Sequence, residues 1–292
     1  MALGSTVIYL ALSPVKKEEK PVENPSFKPN NAMITGYRFQ NSIKLFGEEV
    51  PLDRLDVMER LDREIQVNAF WHSNTILTIK RANKWFPQID SVLNVEGIPS
   101  DFKYLTVIES GLQNVVSPKK AVGFWQFLKG TAKEYGLEVN SKVDQRYDPI
   151  LSTLAACKYL KDGYNRFGNW TVVAASYNMG MNGMDEALTK QQVESYYDLR
   201  LSEEPARYIY RLIALREILE NQQAFGFYIP SEALYIQEPS NEITVTRSIP
   251  DLVNFAKDYG TTYNTLKRLN PWIRAYELPV SGGRQYTMKV PK

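Results

Sequence analysis

Histidine and cysteine are almost absent from this sequence of 292 residues, which contains one of each. A Ser-His-acid triad would have to use His72, but no recognisable nucleophile turn lies near it, so we interpret His72 as a residue at a helix end. Zinc sites built from several His or Cys ligands are excluded by number, and we expect no metal. Cys157 has no partner for an internal disulfide, and its place on the apolar side of a helical stretch predicts a small core residue.

The sequence also lacks a glycine-rich phosphate loop of either common pattern, which argues against nucleotide chemistry. Charge of one sign does not dominate, because 35 Lys and Arg face 33 Asp and Glu and the net charge is +2. Such a balance leaves no electrostatic footprint for nucleic acid, although a mildly basic surface would suit an anionic polymer. We therefore expect neither a cofactor nor a nucleic-acid partner.

The N-terminal fifty residues show no sustained hydrophobic period. Ala2–Leu12 is apolar and similar to the apolar part of a secretory signal, but it has no positive flank before it and is too short to span a membrane. Four prolines among Lys, Glu and Asn then predict a tether that continues to about residue 50. We expect residues 1–50 to be a truncated export signal and a tether, with membrane association left open because no Cys follows for lipid attachment.

Apolar residues recur at helical spacing from residue 52 to residue 225, with almost no alternation of period two. A proline is expected to end the second helix before Pro87, and Asp148-Pro149 is a typical helix start. The apolar spacing and these boundary signals together predict helices at 52–65, 73–86, 102–109, 149–167, 170–177 and 203–225. The chain is therefore predicted to be mainly α, with its main domain at residues 51–230.

A second, smaller unit is predicted at residues 241–292. Ile243–Thr246 has the pattern of a strand, Leu252–Tyr259 and Thr265–Leu269 have that of helices, and Tyr286–Val290 closes the unit as a second strand. This βααβ order is compact enough for a separate module, although its size is near the lower limit for independent folding.

One acid stands out because of its surroundings. Glu109 follows the apolar run Tyr104–Ile108, and Ser110-Gly111 comes directly after it. Apolar surroundings disfavour a charged carboxylate and raise its pKa, which suits a general acid that protonates a leaving oxygen. Most Glu side chains are solvated surface charges, so the hypothesis depends on the companion motifs further along the chain.

Four blocks of sequence carry those companions. They are FKYLTVIESGLQ, AVGFWQFLKGTAKEYGL, AASYNMGMNGM and EEPARYIYRLIAL. In this order, over roughly residues 75 to 225, they resemble the lytic transglycosylases of the soluble-lytic-transglycosylase, goose-lysozyme-like group. The resemblance implies a lysozyme-like helical catalytic domain. The later segment, from DLVNFAKDYGTTYNTLKRLNPWI onward, is similar to a lysin motif, a module that binds glycans containing N-acetylglucosamine. Its lead-in departs from the usual pattern at Ser248–Asp251, so packing on the catalytic domain and glycan binding are both left open.

The resemblance also implies roles for individual residues. Glu109 matches the catalytic acid, Ser110 would orient the carboxyl or a sugar, and Gln126 would hydrogen-bond the sugar near the scissile bond. Tyr177 would have its hydroxyl close to the acid. The implied substrate-binding residues are Ser110, Gln126, Tyr177, Asn178 and Tyr208.

The implied reaction cleaves the β-1,4 bond between N-acetylmuramic acid and N-acetylglucosamine in peptidoglycan and leaves 1,6-anhydro ends. Ordinary glycosidases use two carboxyl groups, whereas here Glu109 would act first as acid and then as base. The partner would be glycan strands of the bacterial cell envelope, in the periplasm. Two alternatives remain. One is a muramidase-type hydrolase, which the lack of an evident second acid disfavours, since Glu204 is given no catalytic role. The other is a non-catalytic glycan-binding scaffold that uses Trp125 and the C-terminal module.

Overall fold

Helices dominate the computed structural model, which describes residues 42–292. The mainly α prediction is confirmed, with two small two-stranded sheets beside the helices. Within the described range, no helix is both long and apolar enough to cross a lipid bilayer. The helices are α1 (Leu55–Phe70), α2 (His72–Val95), α3 (Lys103–Ser110), α4 (Lys129–Glu134), α5 (Pro149–Phe167), α6 (Trp170–Met179), α7 (Met181–Gln191), α8 (Glu203–Glu220), α9 (Leu252–Asp258) and α10 (Tyr263–Leu269). The strands are β1 (Lys44–Leu45), β2 (Glu48–Glu49), β3 (Ser240–Val245) and β4 (Tyr286–Pro291).

Residues 42–50 form a hairpin that packs into the main core, so the tether prediction is wrong for this segment. The strands turn at Gly47, whose φ of 82° suits glycine, and Phe46 is buried beside the turn. The carboxylate of Glu48 accepts the main-chain N–H of Trp170 at 2.7 Å and so caps the start of α6. The apolar residues here are too few to show a period, and only the tertiary contacts reveal their place. The predicted export signal and the rest of the tether lie outside the described residues.

Helix α2 continues through Pro87, so the prediction that it ends before this residue is wrong. Proline inside a helix loses one hydrogen bond and costs about 3 kcal/mol. Beyond Pro87, however, Ile89 and Leu93 are fully buried on the core side of the helix. Complete burial of such side chains contributes about 1.5–3 kcal/mol each, which is enough to offset the proline.

The helix ends that the sequence marks most clearly are confirmed. Gly111 ends α3 with a left-handed φ of 59°, and Gly168 ends α5 in the same way with a φ of 65°. Asp148 begins α5, because its carboxylate accepts the main-chain N–H groups of Ile150 and Leu151 at 2.8 and 2.9 Å. These local signals succeed because they depend only on neighbours in the chain.

The single histidine lies at a helix end and the single cysteine lies in the core, as the sequence predicts. His72 is the first residue of α2, at a helix end. Cys157 is buried in the core on α5, and burial raises the pKa of its thiol to about 12. A thiol of that kind stays protonated at neutral pH and acts as a small apolar residue.

The C-terminal module has the predicted βααβ order. Strands β3 and β4 pair antiparallel, from Ser240 opposite Pro291 to Val245 opposite Tyr286. The two short helices α9 and α10 lie between the strands in the chain and share an apolar cluster with them, separate from the main core. Val143, a residue of the main domain, is also buried in this cluster, so the module is packed against the helical domain.

Candidate active site

Glu109 lies in the last turn of α3, where this helix packs against α8. Three buried residues, Tyr104, Leu105 and Val107, hold α3 in the core and leave Glu109 half-buried. Burial raises the pKa of the Glu109 carboxyl to about 7. This is the direction that the apolar run predicts, and such a carboxyl is partly protonated at neutral pH.

Tyr208 is the direct hydrogen-bond partner of this carboxyl. Its hydroxyl, on α8, donates to Oε1 of Glu109 at 2.5 Å. The bond favours the carboxylate and lowers the pKa of Glu109, against the larger effect of burial. Tyr208 is itself buried, and burial together with the charge of Glu109 raises the pKa of its hydroxyl well above the usual value. Tyr208 therefore remains a neutral donor to the acid.

Two charged residues of α8 influence Glu109 without bonding to it. The negative charge of Glu204 raises the pKa of Glu109, and the positive charge of Arg211 lowers it. Glu204 and Arg211 lie four residues before and three residues after Tyr208, so all three share one face of α8. Sequence reasoning gave Glu204 no role and missed Arg211. The helical spacing around Tyr208 is the signal that identifies them.

Helix α8 is held to α1 by a buried carboxylate that sequence reasoning also missed. Glu64 of α1 is almost fully buried and pairs with Arg207 at 2.6 Å and with Arg211 at 3.7 Å. A buried carboxylate requires such partners, because isolated charge in the core is costly. The cluster anchors the part of α8 that presents Tyr208 to Glu109.

Gln126 lies on a loop at residues 120–127 with a left-handed φ of 48°. Its side-chain amide nitrogen donates to the main-chain oxygens of Gly123 at 2.7 Å and of Val115 at 3.1 Å. The amide is thus folded onto its own loop. No group within residues 42–292 donates a hydrogen bond to the Oε1 atom of Gln126. That oxygen can therefore accept a hydrogen bond from a hydroxyl group of a bound ligand.

Ser110 holds this loop and does not contact the carboxyl of its neighbour. Its hydroxyl lies 2.9 Å from the main-chain oxygen of Thr106 and 3.0 Å from that of Phe124, and it is buried. The expectation that Ser110 orients the Glu109 carboxyl is therefore not met. The hydroxyl instead joins the end of α3 to the loop that carries Gln126.

Tyr177 approaches the acid but directs its proton elsewhere. The negative charge of Glu109 adds to burial in raising the pKa of the Tyr177 hydroxyl, so the two groups are near each other. The hydroxyl itself donates to the main-chain oxygen of Trp125 at 2.7 Å. Trp125 in turn donates its indole N–H to Thr153 at 2.8 Å. Ser110 and Tyr177 thus hold successive residues of one loop, beside the Glu109–Tyr208 pair.

Asn178, the last of the predicted site residues, follows Tyr177 on α6 and is half-buried. Its side chain makes no hydrogen bond with any residue of the described range, so both its donor and acceptor groups are uncommitted. Across residues 42–292, no three His, Cys, Asp or Glu side chains come together in a way that could hold a metal ion.

A half-buried acid with a raised pKa, at the end of one helix and bonded to a tyrosine of another, occurs here together with four motif blocks in order. Residues 94–199 match the family model of the transglycosylase SLT domain, and residues 241–292 match the soluble lytic transglycosylase C-terminal LysM-like domain. The chain therefore contains a transglycosylase SLT domain followed by a LysM-like domain.

Among known proteins, the chain is similar to membrane-bound lytic murein transglycosylase D of Escherichia coli strain K12. The two are 26% identical over 243 residues, which is 81% of this chain and 52% of the relative. The protein of the same name from Escherichia coli O6:H1 is similar to the same extent. The chain thus spans about half the length of these curated relatives.

Proposed function

We propose that this protein is a peptidoglycan lytic transglycosylase that cleaves the β-1,4 bond between N-acetylmuramic acid and N-acetylglucosamine. One observation carries the proposal, namely the half-buried carboxyl of Glu109, whose pKa is raised to about 7 and which accepts a hydrogen bond from Tyr208. A general acid that acts near neutral pH needs that property. The SLT domain and the likeness to lytic murein transglycosylase D support the same activity.

In the proposed reaction, protonated Glu109 donates its proton to the glycosidic oxygen while the bond from that oxygen to the anomeric carbon of the muramic sugar breaks. The N-acetyl group of this sugar supports the positive charge at the anomeric carbon. The Glu109 carboxylate then removes the proton of the sugar's 6-hydroxyl, and the 6-oxygen bonds to the anomeric carbon to close a 1,6-anhydro ring. The acid is regenerated and no water is consumed.

The neighbouring side chains suit two different tasks. We assign Gln126 and Asn178 to direct contact with the sugars, because Oε1 of Gln126 and the side-chain amide of Asn178 are uncommitted. Ser110 and Tyr177 are assigned to holding the loop that carries Gln126, because their hydroxyls are already bonded to main-chain oxygens. Tyr208 orients the carboxyl of Glu109.

Hydrolysis is the second candidate reaction, and Glu204 is the observation that favours it. Glycosidases that use water employ a pair of carboxyl groups, and Glu204 is a second carboxylate close enough to raise the pKa of Glu109. Against this role, Glu204 is exposed in the first turn of α8, where solvent screens its charge. We therefore retain transglycosylation as the main proposal.

Mass spectrometry of the muropeptides released from purified sacculi tests these alternatives. Soluble fragments with 1,6-anhydromuramic ends support transglycosylation, whereas reducing ends support hydrolysis. Glu204→Gln sharpens the comparison, because loss of reducing ends in this variant would assign Glu204 to water activation. Release of no fragments at all would favour the non-catalytic scaffold.

We also propose that the protein works in the bacterial cell envelope, in the periplasm, on peptidoglycan glycan strands. The LysM-like domain and the SLT domain both support a glycan partner. The relative described as membrane-bound supports a place in the cell envelope. Fractionation of cells that carry a tagged full-length chain, with cytoplasmic and periplasmic marker enzymes, tests the location.

Removal of the hydroxyl of Tyr208, in Tyr208→Phe, is expected to shift the pH dependence of glycan cleavage. In the wild type, the rate should fall as the pH rises through about 7, because Glu109 then loses the proton that it must donate. The hydrogen bond from Tyr208 lowers the pKa of Glu109, so its removal raises that pKa and moves the alkaline limb to higher pH. Rates of muropeptide release from pH 5 to pH 9 measure this shift.

Tyr210→Phe is the matched control, because Tyr210 is buried on the same helix and makes no hydrogen bond to Glu109. It should keep the wild-type profile. An alkaline limb that stays in place, or moves to lower pH, in Tyr208→Phe would contradict the assigned role of the hydrogen bond.

A further inference from the structure

The C-terminal module is joined to the helical domain through main-chain hydrogen bonds. The N–H of Asp144 donates to the oxygen of Trp272 at 2.8 Å, and the N–H of Arg274 donates to the oxygen of Lys142 at 2.7 Å. Between these bonds, Val143 is buried in the apolar cluster of the module. Residues 142–144, the docking segment, thus belong to the main domain in sequence but take part in the packing of the module.

The segment leads at once into a buried ion pair. The carboxylate of Asp144 accepts two hydrogen bonds from the guanidinium of Arg146, at 2.9 and 2.7 Å, and both side chains are more than nine-tenths buried. The remaining nitrogen, Nη1, donates to the main-chain oxygens of Phe127 at 3.1 Å and of Lys120 at 3.3 Å. One guanidinium therefore ties the docking segment to both ends of the loop at residues 120–127.

The main chain of Arg146 supports the middle of the same loop. Gly123 packs so closely on the carbonyl oxygen of Arg146 that a Cβ atom there would overlap it. Gly123 is also one of the two anchors of Gln126, because its own carbonyl oxygen accepts the Gln126 side-chain amide. Movement of Arg146 would therefore displace Gly123, whose carbonyl oxygen holds the Gln126 side chain.

A buried ion pair of this kind is not explained by stability alone. The cost of removing two charges from water often cancels their attraction, and apolar replacements of similar size are frequently as stable. The guanidinium of Arg146, however, donates hydrogen bonds to four acceptor oxygens, and such bonds are directional in a way that apolar contacts are not. Directional control over the loop gives the Asp144–Arg146 pair a role that apolar packing could not fill.

We propose that Asp144 and Arg146 are positioning residues that couple the docking of the C-terminal module to the placement of Gln126. The role in cleavage rests on the function proposed above, whereas the coupling itself does not. In this view the module acts as a brace for the active-site loop, whether or not it also binds glycan. Its docking on residues 142–144 sets the ion pair, and the ion pair sets the loop.

Arg146→Lys tests the coupling in the full chain, because lysine keeps the charge but loses the bidentate fork and the bridge between the two loop ends. The first measurement does not depend on activity. It follows the side-chain amide signals of Gln126 in a ¹⁵N-labelled protein, which should shift and broaden. Arg166→Lys is the matched control, because Arg166 pairs with Asp185 on the surface at 2.6 Å and should leave these signals unchanged.

The second measurement is catalytic. Displacement of a positioned group can reduce a rate by about a hundredfold, and we expect Arg146→Lys to lower kcat/KM by about tenfold. In a Gln126→Ala background, the same substitution should cause little further loss, because there is no longer a side chain to position. Losses that multiply would mean that Arg146 acts independently of Gln126 and would overturn the proposal.

Val143→Ala tests the link to the module and leaves the ion pair in place, which also covers a failure of Arg146→Lys to fold. Val245→Ala is its control, because Val245 is buried in the same apolar cluster and loses the same two methyl groups, but it lies on β3 of the module and not on residues 142–144. Only Val143→Ala should move the Gln126 signals. The coupling is refuted if Val143→Ala and Val245→Ala change the Gln126 signals equally. It is also refuted if neither Val143→Ala nor Arg146→Lys changes them. If the Gln126 amide signals shift in these variants but the wild-type protein has no lytic activity, the proposed function is wrong and the coupling is still supported.

Discussion

Glu109→Gln should reduce the release of soluble muropeptides from purified sacculi by about 10²–10⁴-fold, the usual contribution of a positioned general acid or base. The expected loss lies toward the upper end, because the proposed mechanism uses Glu109 twice. Glutamine has almost the same shape and can still accept the hydrogen bond of Tyr208, so the change removes the proton and little else. A variant that keeps activity within tenfold of the wild type would show that another group is the acid.

Glu204→Gln is the matched control for this prediction, because it makes the same chemical change in the neighbouring carboxyl group. Under transglycosylation, it should keep most of the activity. Its negative charge raises the pKa of Glu109, so its loss should move the alkaline limb of the activity profile to lower pH. The direction is opposite to that expected for Tyr208→Phe, and the pair of variants therefore tests the electrostatic account of the site from both sides.

Thermal unfolding shows whether Glu109→Gln is inactive but folded. The pKa of Glu109 is raised in the folded state above its ordinary value of 4.5, so the folded protein binds more protons than the unfolded chain between about pH 4.5 and pH 7. Stability from this group is present below pH 4.5 and is lost as the pH rises to about 7. Glutamine does not titrate, so the variant should have a higher Tm than the wild type at pH 8 and a similar Tm at pH 4.

Gly123→Ala is expected to have the largest effect on stability among simple substitutions near the site. A side chain at a φ of 82° costs about 1–2 kcal/mol, and the new Cβ would overlap the carbonyl oxygen of Arg146. Overpacking of a well-packed region costs about 1–3 kcal/mol more, and the rigid main chain of Arg146 cannot move aside as a flexible side chain could. We expect a loss of about 2–5 kcal/mol in the free energy of unfolding, measured by urea denaturation, together with most of the lytic activity.

Gly47→Ala separates the two causes. Gly47 has the same φ of 82°, at the turn of the β1–β2 hairpin, but nothing lies within 4 Å of the position that a Cβ would take. This variant should show only the conformational cost of about 1–2 kcal/mol and should retain activity. Equal losses of stability in the two variants would mean that the close approach of Gly123 to Arg146 adds nothing.

The Gly123–Arg146 contact illustrates the limit of sequence reasoning in this protein. The Gly-Phe-Trp-Gln block predicts a sugar-binding Gln126. The loop that carries Gln126 is held in place by Arg146, which lies twenty residues later in the chain and belongs to no motif. The family resemblance likewise places Ser110 and Tyr177 at the acid or the sugar. Their hydroxyls in fact bond to main-chain oxygens of the same loop, since hydrogen-bond partners across elements depend on how the elements pack.

Amino-acid sequence alone determined the features of this protein that depend on neighbours in the chain. Apolar spacing predicted most of the long helices but not α4 or α7, Asp148 and Gly111 marked helix ends, and the apolar run before Glu109 predicted a raised pKa. Tertiary structure alone decided that Tyr208, 99 residues away, is the partner of that acid, and that the module docks beside Arg146. The reason is physical, because burial tendency is a local property of a segment, whereas a hydrogen bond across the fold exists only after the whole core has packed.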